Sequence, residues 1–172
     1  MSAQWKETGN ETAPTLLPMT IAHVEAVKAI EAAAYPFPWS RGNFIDSLAA
    51  GYPARVLRGE HGELLGYFVA MAGVDEMHLL NITVAPAVQG RGHARTLIDA
   101  LAAQCRRQRA VALWLEVRAG NMQAQAIYTH LGFTRIGLRK NYYPAPAGLR
   151  EDAIVMRLLV DAAGEGADDG LG

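Results

Sequence analysis

One cysteine, Cys105, is all that the 172 residues contain, so no internal disulfide can form. The 5 histidines fall at no metal-ligand spacing, and no metal centre is expected. Neither sign of charge dominates: 16 Lys+Arg stand against 17 Asp+Glu, a formal net charge of −1. That balance argues against direct binding of nucleic acid through phosphate attraction. No long apolar run exists. The strongest, Tyr67 to Val74, falls far short of the ~20 residues that a membrane helix needs. The N-terminus carries Trp5, Lys6, Glu7 and Glu11 with no apolar stretch behind them, so no secretory signal and a cytoplasmic location are expected. No internal repeat is found, and nothing in the sequence speaks to an oligomeric state.

What is there is a globular composition, 51% hydrophobic and 19% charged, at a length that suits one domain. Residues 1–13 are polar and without period, and residues 161–172 are rich in Gly and Asp; both are expected to be flexible tails. The domain proper is expected over residues 14–160. Thr20 is placed to cap a helix whose apolar residues Ile21, Val24, Val27 and Ile30 follow a three-to-four spacing. It must stop before Pro36 and Pro38. Ser40 begins a second, short helix with Phe44 and Leu48 on one side and Gly51 at its end.

From residue 53 the period changes. Arg55–Arg58 and Leu64–Ala72, joined by the turn at 60–63, predict a hairpin, and Met77–Val84 predicts a further strand ending at Pro86. Arg91 to about Gln108 is the clearest helix, with Ala94, Leu97, Ile98, Leu101 and Cys105 on one stripe. Cys105 is therefore read as a core thiol. Val111–Val117 is nearly continuous apolar sequence, as in a strand buried on both faces. Asn121 caps a helix over Met122–Leu131 that stops at Gly132, and Phe133–Leu138 and Ala153–Val160 complete the strands. This order predicts an α/β (α+β) chain with a mixed sheet and at least one parallel crossover.

The chemistry gathers at the strand-to-helix junction. Gly90 and Gly92 let backbone approach a ligand, and the helix beyond offers free N–H groups to a phosphate or pyrophosphate, with Arg91 and Arg95 as added charge. The pattern is neither a P-loop nor G-x-G-x-x-G, and by itself it is equally a glycine-rich helix cap.

Gln89-x-x-Gly92-x-Ala94 after a strand resembles the acetyl-CoA signature of the GCN5-related N-acetyltransferases (GNAT). Asn121-Met-Gln-Ala-Gln-Ala-Ile-Tyr128-Thr-His-Leu-Gly132-Phe133 resembles a second block of that family. Ala34–Ser40, Leu113–Arg118, Asn141–Pro144 and Arg150–Ala153 further resemble the ribosomal-protein-alanine N-acetyltransferases (RimI type). Ala94 stands where glycine is commoner. The resemblance covers roughly residues 14–160. It implies a GNAT-like, mostly antiparallel sheet with its parallel crossover at the acetyl-CoA site and helices on both faces. It also implies direct acetyl transfer from acetyl-CoA to the N-terminal alanine of a small-subunit ribosomal protein.

Under that resemblance, the backbone of Ile82, Thr83 and Val84 holds pantetheine, and Gln89, Gly90, Arg91, Gly92, His93, Ala94 and Arg95 wrap the pyrophosphate. Asn121 touches the cofactor, caps its helix, or does both. Glu116 is the general base: a carboxylate inside so apolar a strand is costly unless it is paired or serves a site. A structural ion pair with Arg118 is the competing reading. Tyr128 is the general acid; alone, it reads equally as a core tyrosine with a wet tip. Trp39, Tyr142, Tyr143 and Asp152 are candidates for the acceptor site. Two alternatives remain open at this level: the same fold and cofactor acting on a protein lysine or small amine, and a non-catalytic acyl-CoA sensor.

Overall fold

The computed structural model describes residues 13–161. Apart from Ala13 and Asp161, the two expected tails lie outside the described residues. Seven strands form one sheet: β1 (Thr15–Pro18), β2 (Ala54–Arg58), β3 (Leu64–Ala72), β4 (Glu76–Val84), β5 (Ala112–Arg118), β6 (Thr134–Pro144) and β7 (Arg150–Leu159). Their order across the sheet is β1-β2-β3-β4-β5-β7-β6. Among the described residues only β4 and β5 pair in parallel. Helices α1 (Val24–Ala34) and α2 (Arg41–Ala49) precede the hairpin, α3 (His93–Arg107) makes the crossover, and α4 (Met122–His130) follows β5. None of the described helices is long and apolar enough to cross a membrane.

The core has two parts, one on each face of the sheet. Leu97, Ile98, Leu101 and Cys105 of α3 pack on Phe68, Met77, Leu79, Leu113, Leu115 and Val117, and Tyr128 and Leu131 close that side. Val24 and Val27 of α1 and Phe44 of α2 pack on Val56, Tyr67 and Val69 on the other. Ser40 Oγ accepts the Asn43 N–H at 3.1 Å and starts α2, and Gly51 closes its end at φ +76. Gly66 is demanded by space: a Cβ there would stand 2.6 Å from the Thr83 carbonyl oxygen of the neighbouring strand.

Several expectations need correction. Residues 21–23 form a 3-10 turn before α1, and its tighter winding leaves Ile21 61% exposed, off the apolar stripe. β1 was not anticipated; four residues ending in proline are too short to show a period, and they take their place by pairing with β2. α3 begins at His93 rather than Arg91, because Gly92 takes φ +84 as its cap. β5 is not buried on both faces: Trp114, Glu116 and Arg118 are half-buried between buried neighbours. β6 runs on to Pro144, beyond the expected end at Leu138, through a register break between Arg139 and Tyr143. Side chains of β7 hold that irregular stretch. Asp152 Oδ1 accepts the Asn141 N–H at 2.8 Å, and Arg150 donates to the carbonyls of Asn141 and Tyr142 at 3.2 and 2.9 Å.

One irregularity shapes everything that follows. Val69 pairs with Asn81 but Ala70 pairs with Leu79, so Leu80 is an extra residue in β4. Before it, Met77 and Leu79 face α3; after it, Ile82 and Val84 face α3 while Asn81 and Thr83 are buried on the α1 side.

Candidate active site

Pairing between β4 and β5 runs only from Glu76 opposite Ala112 to Leu79 opposite Leu115. Past the bulge the two strands part, while β5 stays paired to β7 as far as Arg118. The opening is a cleft of about 360 Å³. Ile82 of β4 and Glu116, Val117 and Arg118 of β5 form its sides. Asn121, Ala124 and Tyr128 reach it from α4, and Glu31, Tyr35, Phe37 and Trp39 from the α1–α2 segment. It is therefore lined from both faces of the sheet.

Glu116 enters it on the half-buried alternation of β5, its side chain 6% exposed. Its carboxylate is paired, but not with Arg118. Oε2 meets His78 Nε2 and Oε1 lies 3.3 Å from Arg139 Nε. Arg118 is turned to other work: Nη1 donates to the Pro144 carbonyl at 2.8 Å and to Glu151 Oε1 at 3.1 Å. Its guanidinium lies 5.4 Å from the centre of the Phe37 ring and 4.6 Å from that of Tyr143, bridging two walls of the cleft.

Tyr128 packs edge-on against Phe133, ring centres 5.7 Å apart. Burial raises the pKa of its hydroxyl above the ordinary tyrosine value, with smaller contributions from Tyr35 and Tyr143. The group is thus a protonated donor at neutral pH. Asn121 caps α4, its Oδ1 accepting the Ala124 N–H at 3.1 Å, and lines the cleft as well.

Behind the α1 side lies a polar network that the sequence did not reveal. Glu31, 2% exposed, accepts the Trp39 backbone N–H on Oε1 at 3.0 Å. Its Oε2 accepts from the Tyr67 hydroxyl and from Asn81 Nδ2, the latter at 3.1 Å. Thr83 Oγ1 donates to Asn81 Oδ1 at 2.9 Å, and the Tyr35 hydroxyl stands 2.9 Å from Thr83 Oγ1. Tyr35 also donates to the Ile82 carbonyl at 3.1 Å. That carbonyl, one of the backbone groups expected to hold pantetheine, thus already has a partner. No periodicity signals this network, since its hydrogen-bonded partners are up to 50 residues apart.

The glycine-rich segment lies beside the cleft rather than in it. Gly90 and Gly92 sit at φ +78 and +84, and a Cβ on either would meet nothing within 4 Å. Glycine is needed there for backbone angle. α3 has no side-chain cap and no acidic residue in its first turn, so no side chain occupies its leading N–H groups, and Arg91 and Arg95 are nearby in sequence. This suits a pyrophosphate. Gln89 Nε2 donates to the Val84 carbonyl at 3.3 Å and ties the segment to the end of β4.

Of the acceptor-site candidates, Trp39 and Tyr143 line the cleft. Tyr142 stacks edge-on against Tyr143, 4.9 Å between centres, and carries the Arg139 guanidinium over its ring, 5.4 Å from the centre. Asp152 is set apart, its carboxylate engaged by Asn141. Among the described residues no group of three or more His, Cys, Asp or Glu is placed to hold a metal ion.

Residues 24–133 match the acetyltransferase (GNAT) family. The ribosomal protein bS18-alanine N-acetyltransferase of Haemophilus ducreyi is 40% identical over 131 residues, 76% of this chain and 90% of that protein. The enzyme of the same name from Escherichia coli K12 is 36% identical over 146 residues, 85% and 97% of the two chains. The crystal structure of the Escherichia coli ribosomal-protein-S18-alanine N-acetyltransferase superposes with a TM-score of 0.79 at 36% identity, covering 89% of this chain and 97% of that one.

Proposed function

The chain belongs to the acetyltransferase (GNAT) family, and on that premise we propose that it acetylates the N-terminal alanine of ribosomal protein bS18, with acetyl-CoA as co-substrate. This is the activity for which its Haemophilus and Escherichia relatives are named. The observation that carries the reading is the parting of β4 and β5, which leaves a cleft bordered by both a paired carboxylate, Glu116, and a half-buried phenol, Tyr128.

Acetyl-CoA supplies the activated acetyl group. The residues that would hold it are Gln89 to Arg95 and the α3 N-terminus at the pyrophosphate, and, at the pantetheine, the stretch of β4 from Ile82 to Val84, which is paired to β3 but no longer to β5. Asn121 borders the same opening. On the other side, Trp39, Phe37, Tyr143 and the Arg118 guanidinium hold the acceptor's first residues.

An amine attacks only as the free base, so the incoming ammonium must lose a proton. Glu116 takes it on its carboxylate. Tyr128 holds a proton at its hydroxyl for the departing sulfur. Positioned general acids and bases each contribute ~10²–10⁴-fold to such steps. No acetyl-enzyme is needed, since Cys105 is buried in the core away from the cleft.

The experiment is acetyl transfer to two peptides: one with the bS18 N-terminal sequence and a free alanine, the other with that amine blocked and one internal lysine. Labelling of the first alone supports the proposal. Labelling of the lysine peptide alone overturns the acceptor while leaving the chemistry standing.

A further inference from the structure

Glu116 accepts a proton in a place from which it cannot readily release one. Its side chain is 6% exposed, whereas that of His78 on β4 is 27% exposed, and His78 Nε2 touches Glu116 Oε2. The two are brought together by the short parallel ladder. His78 pairs with Trp114 and Leu79 with Leu115 immediately before the strands part, so a side chain at 78 and one at 116 lie on the same face, one step apart. Neither sequence position suggests the other; they are 38 residues apart.

We propose that His78 is the proton outlet of Glu116, a relay between the buried carboxylate and bulk water. The proposal rests on the reading of Glu116 as the base. The substrate ammonium gives a proton to Glu116. With the imidazole in its Nδ1–H form, the lone pair on Nε2 takes that proton from Oε2 and restores the carboxylate. The imidazolium then sheds a proton to water, which its partly exposed ring can reach, and tautomer exchange with water readies it again. One proton enters and one leaves, and no other reactant is consumed.

The charged surroundings favour this division of labour. Arg139, from β6, holds the other oxygen, Oε1, with Nε at 3.3 Å. A guanidinium cannot take a proton, so it fixes the carboxylate without offering an exit. Tyr142 and Tyr143 feel the charge on Glu116 from the same side, and burial keeps both phenols protonated. Arg157, over the Trp114 ring at 5.4 Å, is the next cation along the face and is likewise no acceptor. Of these groups, His78 alone both touches Glu116 and carries a ring nitrogen that can accept its proton and pass one on.

The test measures steady-state rates on the free-alanine peptide for the protein, His78→Gln, His78→Ala, Glu116→Gln and the His78→Gln/Glu116→Gln pair. Glutamine still donates a hydrogen bond to the carboxylate but carries no proton onward. The expected result is a kcat about tenfold lower for His78→Gln, with KM for both substrates within about twofold and an unchanged melting temperature. That loss is smaller than the ~10²-fold or more of a directly acting group. Added imidazole should recover part of the rate of His78→Ala, and the pair should be no slower than Glu116→Gln alone. A full rate for His78→Gln would reduce the histidine to a holding partner and overturn the relay. Equal slowing of Glu116→Gln by the second change would overturn it too, since His78 would then act independently. A fully active Glu116→Gln would instead remove the base reading on which the relay stands.

Discussion

The Asn81 side-chain amide donates to Glu31 Oε2 across 3.1 Å, joining the bulged end of β4 to α1 at the buried back of the cleft. The same carboxylate takes the Tyr67 hydroxyl and the Trp39 N–H. One side chain thus ties the helix, the sheet and the segment that carries the cleft wall. Glu31→Ala strips an acceptor from two buried side-chain donors, each costing ~1–3 kcal/mol when left unpaired. Urea unfolding should show a loss of about 3 kcal/mol, and a smaller one for Glu31→Gln, which keeps an acceptor oxygen. An unchanged midpoint for the alanine variant would mean that burying the charge costs as much as its hydrogen bonds return.

Burial raises the pKa of Tyr35, Tyr67, Tyr128 and Tyr143 above the ordinary tyrosine value. For Tyr67 the charge of Glu31 adds to that effect. A group whose folded-state pKa lies above its unfolded one contributes stability that is complete below the unfolded value and is lost as pH rises toward the folded one. Stability should therefore be insensitive to these groups at neutral pH and fall above about pH 10. Tyrosinate absorbance and unfolding, followed together in an alkaline titration, should rise in step for these residues. Early ionisation in a folded chain would contradict their burial.

Tyr128→Phe keeps the ring and its contact with Phe133 while removing the proton. Its kcat should fall by about 10²-fold with acetyl-CoA binding little changed. Calorimetric titration of CoA beside the rate assay separates the two effects, and an undiminished rate would remove the acid role.

Gly92→Ala puts a side chain where φ is +84. Space is free, so the cost is backbone strain alone, roughly 1–2 kcal/mol. The glycine-rich segment should relax away from that angle, raising KM for acetyl-CoA several-fold with the acceptor KM unchanged. Equal effects on both substrates would argue against a pyrophosphate site there.

Arg118→Lys keeps the charge but loses the flat group that spans Phe37 and Tyr143 and the fork that reaches Pro144 and Glu151. KM for the acceptor peptide should rise about tenfold, at little cost in kcat. A normal KM would show that the two walls stand without their bridge.

Most helices and strands were legible because local signals mark them: Ser40 and Asn121 do cap α2 and α4, and the α3 stripe from Leu97 to Cys105 is buried as its spacing predicts. What stayed hidden depends on pairing between distant segments. Arg118, two residues on, is the near partner that a strand offers Glu116, whereas the contacts come from distant segments: Glu151 of β7 takes Arg118, and His78 of β4 and Arg139 of β6 take Glu116. Glu31 stands on the same inward stripe of α1 as Val24 and Val27, and only the hydroxyl of Tyr67 and the amide of Asn81, from distant strands, explain how a carboxylate is held there. β6 seemed to end at Leu138 because its continuation is held by side chains of β7 rather than by its own period.

The extra residue at Leu80 gives the end of β4 a parity. Pairing it into the ladder, with the bulge ironed out, would slip the remainder of the strand by one step and turn it inside out. Asn81 and Thr83 would then point their polar groups into the leucines of α3, and Ile82 would be thrust against the Glu31 carboxylate. Side chains along this strand can therefore be exchanged, but the ladder cannot absorb that one residue without misplacing every side chain after it.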